Sequence, residues 1–429
     1  MTSISLSLLS SLFTYHAPHP APERTTHHFL TNNQQPTTNY QLPITNYQLP
    51  ITTGNCHMMN NILVTGSRGQ LGSDLVVALQ RRYGTTHVME SGRSPRSEES
   101  KLFPYKVLDV TDGRRLEKIV KRHQIDTIYH LAGLLSAKGE REPDRCWDIN
   151  INGLKNVLEV AKSERLKVFY PSSIAVFGAH TPKLDTPQMT VTDPSTMYGI
   201  TKVTGELLCQ YYAQRFGVDV RSLRLPGIIG IISYNAPPGG GTTDFAVEIF
   251  YAALQQRTYT CFLRPETRLP MMYAADAVRA ILELMEADLS AIKVRTSYNV
   301  AAVSFSVAEL VAEIQKHLPE FACEYKPDFR QAIADSWVCT VDDSKARADW
   351  GWHHTYDLSA IVSDMLAKLE SLKREQGARK RAEGAEEAEG AEGESTTNST
   401  PHTPYPISDR TTHYAPLIPD SRLPTPKIW

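Results

Sequence analysis

The stretch NILVTGSRGQLG at residues 61–72 constrains the fold more than any other part of the chain. A short apolar run is followed at once by Gly66, Gly69 and Gly72, and an apolar helical stripe begins at Leu71. In a strand–turn–helix unit, the first glycine permits a tight turn, the second lets a pyrophosphate approach the backbone, and the third lets helix and strand pack closely. The helix N-terminus then faces the anion. The stretch therefore predicts a dinucleotide-binding turn at the start of a parallel sheet.

The same alternation of strand and helix signals continues through the middle of the chain. Apolar runs of strand length recur at four further places, 105–110, 127–132, 167–172 and 218–225. Strands separated by amphipathic helical segments are typical of a parallel sheet wrapped by helices. After residue 235 the elements become shorter and end in an amphipathic helix that starts near Leu358. We therefore predict an α/β fold, with a Rossmann-type doubly wound domain over 58–235 and a smaller substrate-binding lobe over 236–371.

The two ends of the chain differ in composition from its middle. Residues 1–57 contain one acidic residue, Glu23, and a tandem NYQLPIT repeat, while residues 372–429 are rich in Ala, Glu, Ser, Thr and Pro. Such segments bury too little apolar surface to offset the entropy of ordering. We predict disorder in both, apart from an Ala/Glu part that can extend the last helix. The predicted location is the cytoplasm, with an organelle matrix as the alternative if the leader is a presequence. A mitochondrial presequence is rich in arginine, whereas this leader has only Arg24.

Charge and cysteine content argue against several classes of protein. The chain has 45 basic and 47 acidic residues and a net charge of -2, so we predict binding neither to nucleic acid nor to a membrane. Its 6 cysteines lie far apart without a CxxC pair, which favours reduced thiols. The adjacent pairs Cys56–His57 and His353–His354 lack the spacing of metal ligands, so we predict no metal site.

Tyr198 and Lys202 lie four positions apart in PSTMYGITKVTGE, a segment of helical character. Residues at i and i+4 share a helix face, so both side chains can enter one cleft. Tyrosine has an ordinary pKa of about 10, and half-ionising it near neutrality requires about 4 kcal/mol of extra stabilisation of the phenolate. A nearby ammonium in a desolvated site supplies part of that. The pair predicts a general base for a substrate hydroxyl, and the alternative is two ordinary residues on a helix surface.

The glycine spacing and the Tyr-x-x-x-Lys pair together resemble the extended short-chain dehydrogenase/reductase family, over essentially all of 60–371. Further matching elements are LDVTD (108–112), HLAG (130–133), NING (150–153), PSSIAVFG (171–178) and LPG (225–227). The resemblance implies NAD as cofactor and Ser173, Tyr198 and Lys202 as the catalytic set. Ser173 would hold the substrate oxygen, with Ser172 able to share that task, and Lys202 would lower the pKa of Tyr198. Asn150 would orient the cofactor and the lysine. The cofactor-binding residues that it implies are Gly66, Gly69, Gln70, Leu71, Gly72, Asp109, Val110, Leu131, Ala132, Asn150, Tyr198, Lys202 and Leu225.

The sequence departs from this family at the end of the second strand, HVMESGRS (87–94). NAD-using relatives have an acidic residue there, which binds the adenosine ribose hydroxyls. Here Gly92 occupies the position and Arg93 follows it, while Glu90 lies two residues earlier and could substitute. An arginine at this place suits the additional phosphate of NADP. We predict NAD, with NADP as the alternative.

The second lobe resembles one group within the family, the short-chain L-threonine 3-dehydrogenases. The matching stretches are GLLSAKGE (133–140), PPGGGTTDFAVEIF (237–250), TRLPMMYAADAVRA (267–280) and PDFRQAIADSWVCTVDDSKARADWGW (327–352). The resemblance implies oxidation of L-threonine at its β-carbon to L-2-amino-3-oxobutanoate. The residues expected to bind this substrate are Ser136, Ser173, Tyr198, Thr242, Thr243 and Trp337. The glycines of PPGGGTT can also offer backbone N–H groups to its carboxylate. The plainer alternatives are a flexible glycine loop and a Trp337 that serves only core packing.

Two other functions compete with this prediction. A nucleotide-sugar epimerase or dehydratase would use the same Ser/Tyr/Lys set, with Arg264, Arg268 and Arg330 available for the diphosphate. A cofactor-sensing regulator would keep the sheet without catalysis, although the intact catalytic set argues against it. The family also implies a homodimer that pairs through helices over 143–163 and 195–216.

Overall fold

The computed structural model describes residues 59–95, 104–231 and 240–392. The predicted leader (1–57), the tail after residue 392 and residues 237–239 of the glycine-rich loop lie outside the described residues, as does the pair Cys56–His57.

Twelve strands and twelve α-helices make up the described residues, in an order that alternates through the first half. The strands are β1 (Ile62–Thr65), β2 (Val88–Gly92), β3 (Tyr105–Val107), β4 (Thr127–His130), β5 (Lys167–Ser173), β6 (Asp219–Leu225), β7 (Gly227–Ile229), β8 (Thr258–Cys261), β9 (Arg268–Tyr273), β10 (Tyr298–Asn299), β11 (Val303–Ser306) and β12 (Ala322–Tyr325). The helices are α1 (Gln70–Tyr83), α2 (Gly113–His123), α3 (Ser136–Arg141), α4 (Pro143–Trp147), α5 (Gly153–Glu164), α6 (Met197–Phe216), α7 (Phe245–Gln255), α8 (Ala274–Glu286), α9 (Val307–Gln315), α10 (Arg330–Ser336), α11 (Ser344–Trp350) and α12 (Leu358–Glu392).

The main sheet has seven strands, all parallel, in the order β3-β2-β1-β4-β5-β6-β10. Every residue of β1 and β4 is buried, because helices cover both faces of such a sheet. Helices α1 and α8 pack on one face, around Leu75 and Ile281. Helices α2, α5 and α6 pack on the other, around Leu116, Leu158 and Cys209. The predicted Rossmann-type doubly wound fold is confirmed.

The smaller lobe has its own sheet and core. Strands β11, β9 and β7 form a three-stranded sheet, and β12 pairs with β8. The lobe is closed by α12, whose predicted apolar stripe is buried at Ile361, Met365 and Leu369. This helix runs past residue 372, where the tail was predicted to begin, to Glu392.

The chain after residue 235 still contributes a strand and a helix to the main sheet. Helix α8 packs against α1, and β10 pairs with β6 through Tyr298 and Asn299. Part of the region predicted as a substrate-binding lobe therefore completes the main sheet. The local pattern could not reveal this, because strand pairing at such sequence separation depends on how the whole chain packs.

The long helix predicted over 143–163 is interrupted. A π-helical turn, Asp148–Asn152, separates α4 from α5. Single π turns inside helices are frequent at functional sites, because the additional residue per turn redirects the side chains around it. Helix α6 is continuous, with the Thr196 hydroxyl capping its first turn and Gly217 ending it in a left-handed conformation. Among the helices of the described residues, none has the length and apolar character needed to cross a membrane.

Candidate active site

A cleft of about 560 Å³ opens at the carboxyl ends of β1, β2 and β4. Ligands of open α/β sheets bind at this edge, where the strand order reverses. Five of the predicted cofactor-binding residues line it: Gly66, Gly69, Asp109, Val110 and Ala132. A larger cavity of about 1000 Å³ lies at the opposite edge, where the strands begin, with Asp126 and Asp219 in its wall. The position of the glycine loop identifies the smaller cleft as the nucleotide site.

The glycine loop has the geometry that its sequence predicts. Gly66 has φ +68, and a Cβ there would stand 2.7 Å from the backbone nitrogen of Ala132. A Cβ on Gly72 would stand 2.4 Å from the Gly66 carbonyl oxygen. The Gly69 amide donates to the same carbonyl at 3.0 Å. Side chains at the first and third positions are thus excluded by sterics, which leaves the backbone of the loop open to a phosphate.

Asp109 lies on the wall of the cleft, as predicted. The amide and hydroxyl of Thr111 donate to its carboxylate at 3.0 and 2.8 Å. Burial works to raise its pKa, but the two bonds from Thr111 and the charges of Arg93 and Arg145 outweigh this and lower it. The carboxylate therefore stays ionised at neutral pH.

Other predicted cofactor residues support the cleft rather than line it. The Gln70 side chain donates to the carbonyls of Ile228 and Gly230 at 3.1 and 3.4 Å, which ties α1 to the end of β7. Leu71 is half-buried against the core under α1, and Leu225 is buried at the end of β6. Leu131 anchors the loop after β4, since its amide donates to the Thr65 carbonyl at 3.1 Å.

Asn150 joins the cofactor cleft to the helix of the predicted base. It lies on the π turn, fully enclosed, and exchanges two hydrogen bonds with the backbone of Leu134, at 2.8 and 3.2 Å. Its amide also donates to the Thr201 hydroxyl at 3.0 Å and the Cys146 thiol at 3.4 Å. Thr201 precedes Lys202, so Asn150 fixes α6 beside the cleft without touching the lysine itself.

Tyr198, Ser173 and Lys202 come together at the carboxyl end of β5. Ser173 lies close enough to the Tyr198 phenol to act on its pKa. The Lys202 ammonium lies 5.4 Å from the centre of the Tyr198 ring and 4.8 Å from that of Tyr170, and donates to the Pro171 carbonyl at 2.6 Å. Tyr170, which the sequence did not single out, has a buried hydroxyl without a hydrogen-bond partner in the described residues.

Burial dominates the pKa values within this set. Burial raises the pKa of Tyr198 to about 12, and it is the hydrogen bond from Ser173, not the charge of Lys202, that opposes the rise. Burial also lowers the pKa of Lys202 to about 8. That Lys202 lowers the pKa of Tyr198 therefore stays a prediction for the complex with cofactor and substrate. The cost of removing both side chains from water, which spacing alone cannot reveal, dominates.

Ser172 faces away from the predicted base. It is buried, and its hydroxyl donates at 2.5 Å to the Glu206 carboxylate. Glu206 in turn accepts two hydrogen bonds from Arg224, at 2.7 and 2.9 Å, in a buried ion pair. Alternate residues of a strand point to opposite faces, so Ser173 rather than Ser172 lies on the side of Tyr198.

The predicted substrate residues Ser136 and Thr242 are brought together from distant parts of the chain. Their hydroxyl oxygens lie 3.0 Å apart, and the Thr242 amide donates to Ser136 at 3.1 Å. Ser136 begins α3, and a Cβ on Gly139 of that helix would stand 3.6 Å from the Cβ of Tyr198. Thr243 is half-buried beside Gly227. A Cβ on Gly227 would stand 2.8 Å from the methyl group of Thr243.

In the described part of the glycine-rich loop before Thr242, the backbone amides already have a partner within the protein. The Gly241 amide donates to the carboxylate of Asp244 at 2.8 Å. Burial raises the pKa of Asp244 to about 6, against the opposing effect of backbone bonds from Gly241 and Gly240. The Gly240 and Gly241 amides therefore serve Asp244 in this structure, and the expected role of the whole loop in binding the substrate carboxylate stays a prediction.

Trp337 is part of the core of the lobe, with 6% of its surface exposed. The Lys183 ammonium donates to the carbonyls of Asp335, Ser336 and Trp337, at 3.1, 2.8 and 2.7 Å, and so fixes the end of α10. Tyr198 packs against the same core cluster. The position fits a wall behind the predicted base better than a mobile lid.

The three arginines that would serve a sugar nucleotide are each paired with carboxylates of the protein. Arg264 binds Asp335 at 2.8 Å, and Arg330 binds Asp328 at 2.7 Å. Arg268 pairs with Glu309. In the described residues no group of three or more His, Cys, Asp or Glu side chains could hold a metal ion.

Fold and cleft together define an α/β protein of the dinucleotide-binding class, with a Ser/Tyr/Lys set whose helix is tied to the cleft wall through Asn150. The family model described as the NAD dependent epimerase/dehydratase family matches residues 62–301. The chain belongs to this family, and the resemblance inferred from the motifs is confirmed.

Relatives and solved structures refine this placement. An uncharacterized epimerase/dehydratase of Staphylococcus haemolyticus is 46% identical over 321 residues, covering 74% of this chain and 100% of its own. The GalE-like L-threonine dehydrogenase from Cupriavidus necator, in its holo form, is 49% identical with a TM-score of 0.70, covering 72% of this chain and 99% of its own. A monomeric L-threonine 3-dehydrogenase from a metagenome is 46% identical with a TM-score of 0.70 and the same coverage.

Proposed function

We propose that the chain oxidises L-threonine at its β-carbon to L-2-amino-3-oxobutanoate, with NAD as hydride acceptor. The observation that carries the proposal is the meeting of Ser173, Tyr198 and Lys202 at the carboxyl end of β5. Asn150 ties helix α6 to the wall of the nucleotide cleft. The solved relatives at 46% and 49% identity that are named as threonine dehydrogenases support this choice of substrate.

The cleft suits a dinucleotide by its shape and donors. The loop from Gly66 to Gly72 presents its backbone and the N-terminus of α1 to a pyrophosphate, and both ends of the loop exclude side chains. Ala132 and Leu134 would lie along the path from the pyrophosphate towards Tyr198, since Asn150 holds Leu134 and α6 together. Asp109 would face the adenosine end.

Ser173 and Tyr198 act on the same substrate oxygen. Because the two side chains lie close together, an alcohol oxygen placed between them can accept from Ser173 and donate to Tyr198. Tyr198 takes the hydroxyl proton as the β-carbon becomes a ketone, and Ser173 stabilises the developing negative charge on the oxygen.

Lys202 supplies positive charge where the phenolate forms. Lowering the pKa of Tyr198 from about 12 to 7 requires roughly 7 kcal/mol. With a pKa of about 8, Lys202 is mostly protonated at pH 7, and a unit charge about 5 Å away contributes roughly 3 kcal/mol at an effective dielectric constant of about 20. NAD bound in the cleft would supply the hydride acceptor and the remaining positive charge. The base is thus activated only in the complete complex.

The remaining groups hold the amino acid. The hydroxyls of Ser136 and Thr242, with Thr243 beside them, offer donors and acceptors to the ammonium and carboxylate groups. Trp337 forms part of the apolar wall behind Tyr198, which keeps water from the hydride path.

The test is NADH formation, followed at 340 nm, by the full chain with L-threonine and NAD. Tyr198→Phe should reduce kcat by about 10²–10⁴-fold, the usual contribution of a general base. Tyr211→Phe is the matched control on the same helix. Because Tyr211 is 53% exposed, this substitution should leave kcat unchanged.

Two further measurements, sugar-nucleotide conversion and nucleotide binding, distinguish the alternatives. Interconversion of UDP-glucose and UDP-galactose without net NADH, and no signal with L-threonine, would replace the proposal with an epimerase. Nucleotide binding without turnover of either substrate would indicate a cofactor sensor. Full activity in Tyr198→Phe would contradict the assignment of the base.

A further inference from the structure

The Lys202 ammonium is buried without a carboxylate partner of its own. Within the part of the chain that the structure describes it forms no salt bridge, and it donates to the Pro171 carbonyl at 2.6 Å. The Glu206 carboxylate, one turn further along α6, is already bound by Arg224 and by the Ser172 hydroxyl. A buried charge without a partner is costly, so Lys202 needs another group that favours its charged form.

The ring of Tyr170 is such a group. Its centre lies 4.8 Å from the Lys202 ammonium, inside the range of about 6 Å over which an aromatic ring attracts a cation. Tyr170 belongs to β5 and reaches the ammonium from the main sheet, whereas the Tyr198 ring, at 5.4 Å, lies on the same helix as the lysine. The ring excludes water from the ammonium, and the negative charge on the ring face attracts it.

Packing, rather than a hydrogen bond, fixes the Tyr170 ring in place. The side chain is buried in the core between the sheet and α6. A Cβ on Gly205 would stand 2.6 Å from the ring carbon that carries the hydroxyl, so the ring fits against α6 only because residue 205 is glycine. The hydroxyl has no hydrogen-bond partner in the described residues. The aromatic ring, and not the phenol, is therefore the functional part of this side chain.

His130 stands beside Tyr170 on the neighbouring strand and brings no charge. The register of β4 and β5 continues from Tyr129 and Phe169 to these two residues. The Nδ1 atom of His130 is hydrogen-bonded to the Thr65 hydroxyl at 2.9 Å. Burial, together with the charge of Lys202, lowers the pKa of His130 to about 3, so the imidazole is neutral at neutral pH.

The remaining titratable groups that face Lys202 do not replace the ring. Burial raises the pKa of the Cys146 thiol on α4 and of the Cys209 thiol on α6. It also raises the pKa of Tyr198 to about 12. These three groups are therefore uncharged at neutral pH, and Glu206 is bound by Arg224.

We infer that Tyr170 is a positioning residue, whose ring holds the Lys202 ammonium beside Tyr198 and keeps it charged. The inference rests on the proposed function, because it concerns the cation that would stabilise the Tyr198 phenolate. It deepens that function by adding a residue outside the Ser/Tyr/Lys set.

The experiment measures the pKa of Lys202 by NMR on the full chain labelled with ¹³C at the lysine Cε atoms. The signal is assigned by its absence in Lys202→Met. The ring favours the charged form, so Tyr170→Leu should lower this pKa from about 8 by roughly one unit, the size of a desolvated cation–π contact. Tyr170→Met fills the gap with a more flexible side chain and should give the same shift, which keeps the test valid if Tyr170→Leu does not fold.

Two variants control for loss of packing. Tyr170→Phe keeps the ring and removes only the unpartnered hydroxyl, so it should leave the pKa of Lys202 unchanged. Phe169→Leu removes a buried ring of the same strand that packs on the opposite face of the sheet. It should lower stability in urea unfolding without moving this pKa. If the chain oxidises L-threonine, the loss of kcat at alkaline pH should shift to lower pH in Tyr170→Leu and in neither control.

An unchanged pKa of Lys202 in Tyr170→Leu and Tyr170→Met would overturn the inference. An equal fall in Phe169→Leu or in Tyr170→Phe would also overturn it, since general packing or the phenol would then be responsible. A fall confined to the variants that lose the ring, in a chain that does not oxidise threonine, would sustain the inference and reject only the proposed function.

Discussion

The buried ion pair behind the catalytic strand should be one of the most sensitive points of the fold. Arg224 donates to Glu206 at 2.7 and 2.9 Å, and the two side chains are 7% and 4% exposed. Arg224 also donates to the Gln188 carbonyl at 3.0 Å and to Asn299 at 3.2 Å. The Ser172 hydroxyl completes the network. These contacts join α6, β5, β6 and β10 beneath the proposed active site.

Glu206→Gln keeps the shape of the side chain but removes its charge. Arginine keeps its proton in proteins, so Arg224 would remain as an uncompensated cation in the interior. Removing one partner of a buried pair usually costs about 3–5 kcal/mol. Because glutamine still offers one acceptor oxygen to the guanidinium, we expect a loss near the lower end, about 3 kcal/mol in the free energy of unfolding.

The assay is urea-induced unfolding of the full chain, monitored by tryptophan fluorescence, with and without the substitution. Glu117→Gln is the matched control, since it breaks a Lys121–Glu117 pair of similar length, 2.6 Å, whose side chains are 45% and 55% exposed. Exposed pairs of this kind contribute little to stability, so the midpoint should not move measurably. A loss below about 1 kcal/mol for Glu206→Gln would refute the claim that this charge is desolvated and essential to the fold.

Three further predictions test the loop, a buried carboxyl and a helix face. Gly72→Ala should prevent stable folding, since its Cβ would stand 2.4 Å from the Gly66 carbonyl oxygen. In Gly69→Ala the Cβ would stand 3.3 Å from the same oxygen, so this variant should fold but bind dinucleotide less tightly, as measured by calorimetry. Burial raises the pKa of Asp74 to about 7 from its usual 3.8. Between about pH 4 and 7 the Asp74 carboxyl is therefore protonated in the folded chain but ionised in the unfolded chain. The free energy of unfolding of the wild type falls as pH rises through this range. Asp74→Asn should remove that slope and gain on the order of 2 kcal/mol at pH 8 in urea unfolding. If the chain forms the expected homodimer, the 57% exposed Leu207 and the 53% exposed Tyr211 lie at its interface. Leu207→Glu with Tyr211→Glu should then yield a monomer in light scattering, and a monomeric wild type would contradict the dimer.

Local features of the fold were accessible from the sequence. The strands at 62–65 and 219–225, the amphipathic stripe of α12 and the glycine loop all follow from periodicity or from backbone geometry. Such features depend on residues within a few positions of one another. The interruption between α4 and α5 was missed, because a π turn leaves no clear mark on the apolar pattern.

Contacts between distant segments needed the tertiary structure. The pair Ser136–Thr242 joins residues 106 positions apart, and the return of β10 to the main sheet spans a similar distance. The sequence named Ser136 and Thr242 by resemblance, but could not show that their hydroxyls meet. It also could not show that Asp244 occupies the glycine nest, because the partner of a backbone N–H is decided by packing.

The sequence by itself determined the type of chemistry, and the tertiary structure decided its energetics. Four-residue spacing on a helix places Tyr198 and Lys202 on one face wherever the helix lies. Whether their pKa values rise or fall depends on how much water the surrounding chain removes. In the folded protein that desolvation raises the pKa of Tyr198 and lowers that of Lys202.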